Sequence, residues 1–156
     1  MTIAQRLAEL DITLPSAPKP VASYIPTRRT GNLVHVSGQI PMRDGALIAK
    51  GIIPTHVDND TALDCARQCT LNALACLTQE LGTLDTITKI VKVGGFVAST
   101  PDYTDHPKII NACSDLLVEI FGQTIGQHAR AAVGVSSLPL GAPVEIEFIV
   151  EVSDVG

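Results

Sequence analysis

From Asp60 to Leu81 the chain reads "DTALDCARQCTLNALACLTQEL", with Leu63, Ala66, Leu74, Leu77 and Leu81 on one side at helical spacing and Gly82 directly after. An apolar stripe of that period, opened by an acidic residue and closed by glycine, predicts a capped amphipathic helix. A second helix is predicted to start near Pro107, whose missing N–H is not needed in a first turn, and to run through "KIINACSDLLVEIF" to Gly122. Ile3, Leu7 and Leu10 predict a short N-terminal helix. Pro15 ends it, and "LPSAPKPVASYIP" reads as an extended arm docked on the rest of the chain.

Between these segments the period changes to two. "NLVHVSGQIP" predicts a strand ending at Gly38 and Pro41, and "RDGALIAKG" a turn at Asp44-Gly45 with a short returning strand. "TITKIVKVGGFVAS" predicts another strand, with Gly94-Gly95 marking a bulge or the close approach of another backbone. The segment 126–152, "GQHARAAVGVSSLPLGAPVEIEFIVEV", reads as a closing hairpin of two strands joined by a Leu-Pro turn. In its second strand Val144, Ile146, Phe148, Val150 and Val152 point one way, and Glu145, Glu147, Ile149 and Glu151 the other. The resulting order is helix arm, β, β, α, β, α, β, β, an α+β pattern without internal repeats. We divide it into an N-terminal helix and arm (1–20) and a single domain (21–156). Two helices can cover only one face of such a sheet, so the glutamate face is expected to be open.

Composition adds a second constraint. The 156 residues suit one domain, and with 46% apolar, 17% charged and 3% aromatic residues the core must be built from Val, Ile, Leu and Ala. So few charges on a small domain imply that part of its surface is covered, and self-association is the simplest cover. The net charge is -5 and the longest cationic run is Arg28-Arg29, which disfavours phosphate-backbone binding. With no cationic leader before an apolar stretch and no apolar run of spanning length, a cytoplasmic protein with no membrane partner is expected. Cys65, Cys69 and Cys76 form one helical stripe, and Cys113 lies in the second helix. Such spacing suits neither a disulfide nor a zinc set, so these are read as small core residues in a reducing compartment.

Arg130 stands at the entrance of the last two strands, and three glutamates punctuate the final one. Arg130 can be a solvated strand-edge residue, and Glu145, Glu147 and Glu151 the polar face of an amphipathic strand. Equally, the glutamates repel one another and an arginine near them would relieve this. A cleft could then use the guanidinium fork to grip a carboxylate while one glutamate handles water or a proton. Spacing leaves both readings open. His35, His56, His106 and His128 are scattered, so no metal centre is expected. Ser37-Gly38-Gln39 lacks the nucleophile-elbow pattern and "VGGFV" lacks the spacing of a phosphate loop, so no cofactor is expected either.

Four segments carry a resemblance. "YIPTRRTGNLVHVSGQIP" (24–41), the helix bearing Asn72, "VKVGGFV" (91–97) and "ARAAVGVSSLPLGAPVEIEFIVEV" (129–152) resemble the Rid family, the reactive intermediate deaminases, also called the YjgF or endoribonuclease L-PSP family. The likeness covers nearly everything after Tyr24, and its most specific parts are S-G-Q-I-P and R-x-x-V-x-V-x-x-L-P-x-x-x-x-V-E-I-E.

The resemblance implies a chorismate-mutase-like fold, two helices on a mixed sheet, assembled as a homotrimer. Its open sheet faces would form a central barrel, with clefts between subunits. In deaminating members the signature arginine clamps the carboxylate of a 2-imino acid such as iminopropanoate or iminobutanoate, and the first glutamate of V-E-I-E positions the hydrolytic water. By position these are Arg130 and Glu145. Tyr24 at the cleft entrance, Ser37 and the Gly38 backbone on its wall, and Asn111 early in the second helix also match. Ala132 stands where close relatives often carry cysteine, at a position that contributes either a backbone N–H or a thiol. The arm and the residues around "STPDYTDHPKII" resemble a longer subfamily.

The leading expectation is therefore a cofactor-free imine deaminase acting on a small carboxylate. The alternative is a trimeric carboxylate-binding protein that uses the same arginine without turnover. A ribonuclease, suggested by the older family name, is disfavoured by the charge, and chorismate mutase activity rests on fold likeness alone.

Overall fold

The computed structural model describes residues 1–154. After a short helix α1 (Ile3–Glu9), strands β1 (Thr27–Thr30) and β2 (Leu33–Gln39) lead through the two-residue strands β3 (Met42–Arg43) and β4 (Ala46–Leu47) to helix α2 (Asn59–Leu81). Strand β5 (Ile87–Ala98), helix α3 (His106–Gly126) and strands β6 (Ala129–Val135) and β7 (Val144–Val152) complete the order. The five long strands form one mixed sheet in the order β1-β2-β7-β5-β6, antiparallel except where β5 runs parallel to β6.

The helices form where the apolar stripes predict them. Asp58 rather than Asp60 caps α2, its carboxylate accepting from the Thr61 amide at 2.8 Å, and Gly82 closes the helix at φ 77°. The buried stripe of α2 is rich in small residues, Ala62, Cys65, Ala66, Cys69, Ala73 and Cys76 beside Leu74 and Leu77, so the helix lies close over the sheet. Leu63 and Leu81 flank that stripe and are partly buried. Helix α2 packs on the face of β7 that carries Val144, Ile146, Phe148, Val150 and Val152, all buried, and α3 lies on the same side of the sheet over β5 and β6. Helix α3 starts with Pro107 in its first turn and breaks at Gly122 (φ 76°, ψ 170°), after which a last turn folds back over the helix. That return is tight: a Cβ on Gly126 would stand 2.6 Å from the Leu117 carbonyl oxygen.

Three local expectations are corrected. The closing hairpin does not form: β6 and β7 both pair with β5, which lies between them. Residues 136–143, with a 3-10 turn at Pro139–Gly141, step over the end of that one strand, a span of two inter-strand spacings of about 5 Å each. Gly94 and Gly95 sit in regular register, the irregularities of β5 falling before Lys92. What approaches them are side chains, Glu147 on one face and Ile110 of α3 on the other. Finally, β1 was hidden by its own polarity: Arg28, Arg29 and Thr30 are exposed on a strand that ends the sheet, where charge discourages further pairing.

The arm docks on this frame. The Ile3 amide donates to Asp85 Oδ1 at 2.7 Å, Arg6 Nε donates to the Glu119 carbonyl at 3.0 Å, and Leu7 and Ile12 are buried in the common core. No helix among the described residues is long and apolar enough to cross a membrane.

Candidate functional site

The alternation of β7 places Glu145 between buried Val144 and Ile146, so its carboxylate leaves the sheet on the face away from the helices. Across from it the β2 register slips between Val36 and Gln39. This bulge turns the Gly38 backbone toward the carboxylate, and a Cβ at Gly38 would collide with Glu145 Oε1. The Ser37 hydroxyl donates to the Ile25 carbonyl at 2.7 Å and the Ser37 amide to the Pro26 carbonyl at 2.8 Å, which ties the end of the arm to the bulge. Tyr24, Ser37, Gly38 and Glu145 thereby line one cleft of about 570 Å³, with Val21 and Pro139 on its walls. A recess of about 40 Å³ beside it is bounded by the arm residues Pro18, Lys19 and Pro20 and by Met42. Burial pushes the Glu145 carboxyl above its ordinary range, and the negative charge of Glu147 pushes it the same way.

Arg130 lies elsewhere. It is in register with Val93 and, through it, with Phe148, so it leaves edge strand β6 on the helix side of the sheet. There Nη1 donates to Asn111 Oδ1 at 2.8 Å and to Ser114 Oγ at 3.2 Å, and Nη2 donates to the Pro107 carbonyl at 3.5 Å. His128, two residues earlier on the chain, stands 2.8 Å from Ser114 Oγ through Nε2 and 2.6 Å from the Gly126 carbonyl through Nδ1. Asn111, Ser114, Gln127, His128 and Arg130 line a second, open cleft of about 440 Å³. Ala132 follows on the same side of β6, paired with Gly95 and partly buried against the core.

One chain thus brings Tyr24, Ser37, Gly38 and Glu145 together and, separately, Asn111 and Arg130; the two sets lie on opposite faces of the sheet. Arg130 does not relieve the glutamate row. A cation that pairs with it is Lys89, whose Nζ is 3.2 Å from Glu151 Oε2, and Lys92 lies on the same face. Ser114 and His128 were missed in the sequence. The signal for them was present as Asn-x-x-Ser on one helix face and His-x-Arg at the entry to a strand. The four cysteines are buried, with burial pushing Cys65 up to about 11 and Cys113 to about 12, so their thiols stay protonated at neutral pH. Among the described residues no group of three or more His, Cys, Asp or Glu is placed to hold a metal.

The family model described as "YjgF/chorismate_mutase-like, putative endoribonuclease" matches residues 4–152. The chain belongs to the YjgF family. Within and around that family it is 36% identical to protein TCP17 of Trypanosoma cruzi, over 97% of this chain and 95% of that one. It is 31% identical to a 2-iminobutanoate/2-iminopropanoate deaminase of Dermatophagoides farinae, over 89% of this chain and 93% of the relative. Among solved structures, a protein of unknown function from Agrobacterium tumefaciens superposes with a TM-score of 0.89 at 42% identity, covering 98% of this chain and 94% of that one. The chorismate-mutase-like fold expected of YjgF proteins is thus the fold of this chain.

Proposed function

We propose that this YjgF protein hydrolyses small 2-imino acids, releasing ammonia and a 2-oxo acid, in clefts that two subunits of a homotrimer build together. The observation that carries this reading is the placement of Arg130 and Glu145 on opposite faces of one sheet, each lining an open half-cleft. A single chain cannot close both halves around one small molecule, whereas the glutamate half of one subunit facing the arginine half of the next can. The 31% identity to an imine deaminase supports the chemistry.

In this mechanism Arg130 holds the substrate carboxylate. Nη1 is committed to Asn111 and Ser114 and one Nη2 proton to Pro107. The Nε–H remains, on the edge of the planar fork that it shares with Nη2, which is the edge suited to a bidentate carboxylate. With the imine protonated at nitrogen, Glu145 accepts a proton from water as the water oxygen bonds to the imine carbon and the C=N π pair becomes the nitrogen lone pair. It returns that proton to nitrogen, and the C–N bond breaks as the C=O bond forms, with the hydroxyl proton leaving to solvent or to Glu145. A carboxylate raised above its ordinary range by burial suits both transfers. Fixing the substrate and water accounts for the acceleration of a reaction that already proceeds in water. Ala132 contributes a backbone N–H at most, since it has no side-chain donor.

The test is ammonia release from freshly generated 2-iminopropanoate and 2-iminobutanoate. We expect turnover in the wild type and a loss of at least ~100-fold in both Arg130→Ala and Glu145→Ala. Carboxylate affinity should survive in Glu145→Ala only. A wild type that binds 2-oxobutanoate without turning over the imines would instead make the protein a carboxylate-binding trimer.

A further inference from the structure

The geometry points to Ser114 and His128 as positioning residues that fix the substrate-binding face of Arg130, an inference that rests on the carboxylate-clamp reading above. The chain of contacts has a defined direction. A backbone carbonyl only accepts, so His128 Nδ1, 2.6 Å from the Gly126 carbonyl, carries the imidazole proton. In the neutral ring Nε2 is then an acceptor, and Ser114 Oγ at 2.8 Å donates to it. With its only proton committed, Ser114 presents a lone pair, and Arg130 Nη1 donates into it at 3.2 Å. The second Nη1 proton goes to Asn111 Oδ1. The guanidinium is therefore held by one nitrogen from two sides, and its plane is set before substrate arrives.

The fold builds this relay from three local features. Asn111 and Ser114 are three residues apart and share a face of α3. The break at Gly122 and the tight return at Gly126 bring the chain back along the same helix, which puts His128 beside Ser114. His128, directly before β6, and Arg130, its second residue, are then alternate residues where the chain enters the strand. An unheld arginine would sample many rotamers and lose entropy on binding; a held one has lost it already. The relay should act on binding and not on the proton transfers at Glu145.

Ser114→Ala and His128→Ala test this in the full-length protein. Both should raise KM for 2-iminobutanoate and the calorimetric Kd for 2-oxobutanoate about tenfold, with kcat within about twofold and Tm unchanged. Ser114→Thr, which keeps the hydroxyl, should restore wild-type binding, and the ¹⁵N shifts of His128 should report the Nδ1-protonated ring. Wild-type Kd in both alanine variants, while Arg130→Ala abolishes binding, would overturn the relay and leave the clamp reading standing. Losses of kcat at unchanged KM, losses that track a fall in Tm, or an Nε2-protonated ring would overturn the relay as well. Unchanged binding in Arg130→Ala would remove the clamp reading and the relay together.

Discussion

Glu145 and Glu147 leave the same face of β7 two residues apart, and their like charges, together with burial of Glu145, disfavour the ionised form of Glu145. The proposed hydrolysis starts from the carboxylate, so kcat/KM should rise with pH through a pKa above that of an ordinary glutamate. Replacing Glu147 by Gln removes one of the two causes. The acid limb of the kcat/KM profile should therefore move to lower pH, measured with 2-iminobutanoate. A limb that stays in place would mean that Glu147 does not act on the base. At this scale the sequence was partly legible. Arg130 and Glu145 stood out as charges on the last two strands, and the resemblance to the Rid family added Tyr24, Ser37, Gly38 and Asn111 as candidates. Their division between two clefts could not be read, because it depends on which face of which strand each side chain leaves. Ser114 and His128 were signalled only by their spacings from Asn111 and Arg130; that the two meet depends on the chain reversal at Gly122, which spacing alone does not reveal.

At the scale of elements, the link between α2 and the Glu145 cleft is Asn72. Its Nδ2 donates to the carbonyls of Ile40 and Met42 at 3.2 and 3.0 Å, and its Oδ1 accepts from Gln68 Nε2 at 2.9 Å. Gln68 Oε1 in turn accepts from Arg43 Nε at 3.0 Å, so helix α2 holds the segment between β2 and β3 by a buried polar network. Asn72→Ala would leave these groups unpaired, and we expect a loss of about 2–4 kcal/mol in chemical denaturation. A loss under about 0.5 kcal/mol would show that water or a neighbouring group replaces the amide. Strongly periodic elements such as α2, α3 and β7 were legible because period reports which residues share a face. Strand neighbours were not. The alternation in β6 and β7 is the same whether they pair with each other or flank β5, and only the length of the 136–143 connection hinted at the second arrangement. The exposed arginines of β1 hid a strand that has little apolar face to show.

For the molecule as a whole, the open face of the sheet is the surface on which the proposed trimer rests. Leu33, Phe96, Val133 and Ile149 share it with the glutamates, and Val133 is 43% exposed in the isolated chain. Only 17% of the residues are charged, so the covering expected from composition has a surface to act on. The central claim is that the arginine of one subunit works with the glutamate of another. The most direct test is to co-express Arg130→Ala and Glu145→Ala chains with different affinity tags, purify the mixed trimers and measure ammonia release from 2-iminobutanoate. Each mixed trimer contains one cleft in three in which an intact arginine meets an intact glutamate, so activity should return to about a third of wild type, while either variant alone stays inactive. Mixed trimers as inactive as the parent variants would contradict the account, since both residues would then have to act within one chain.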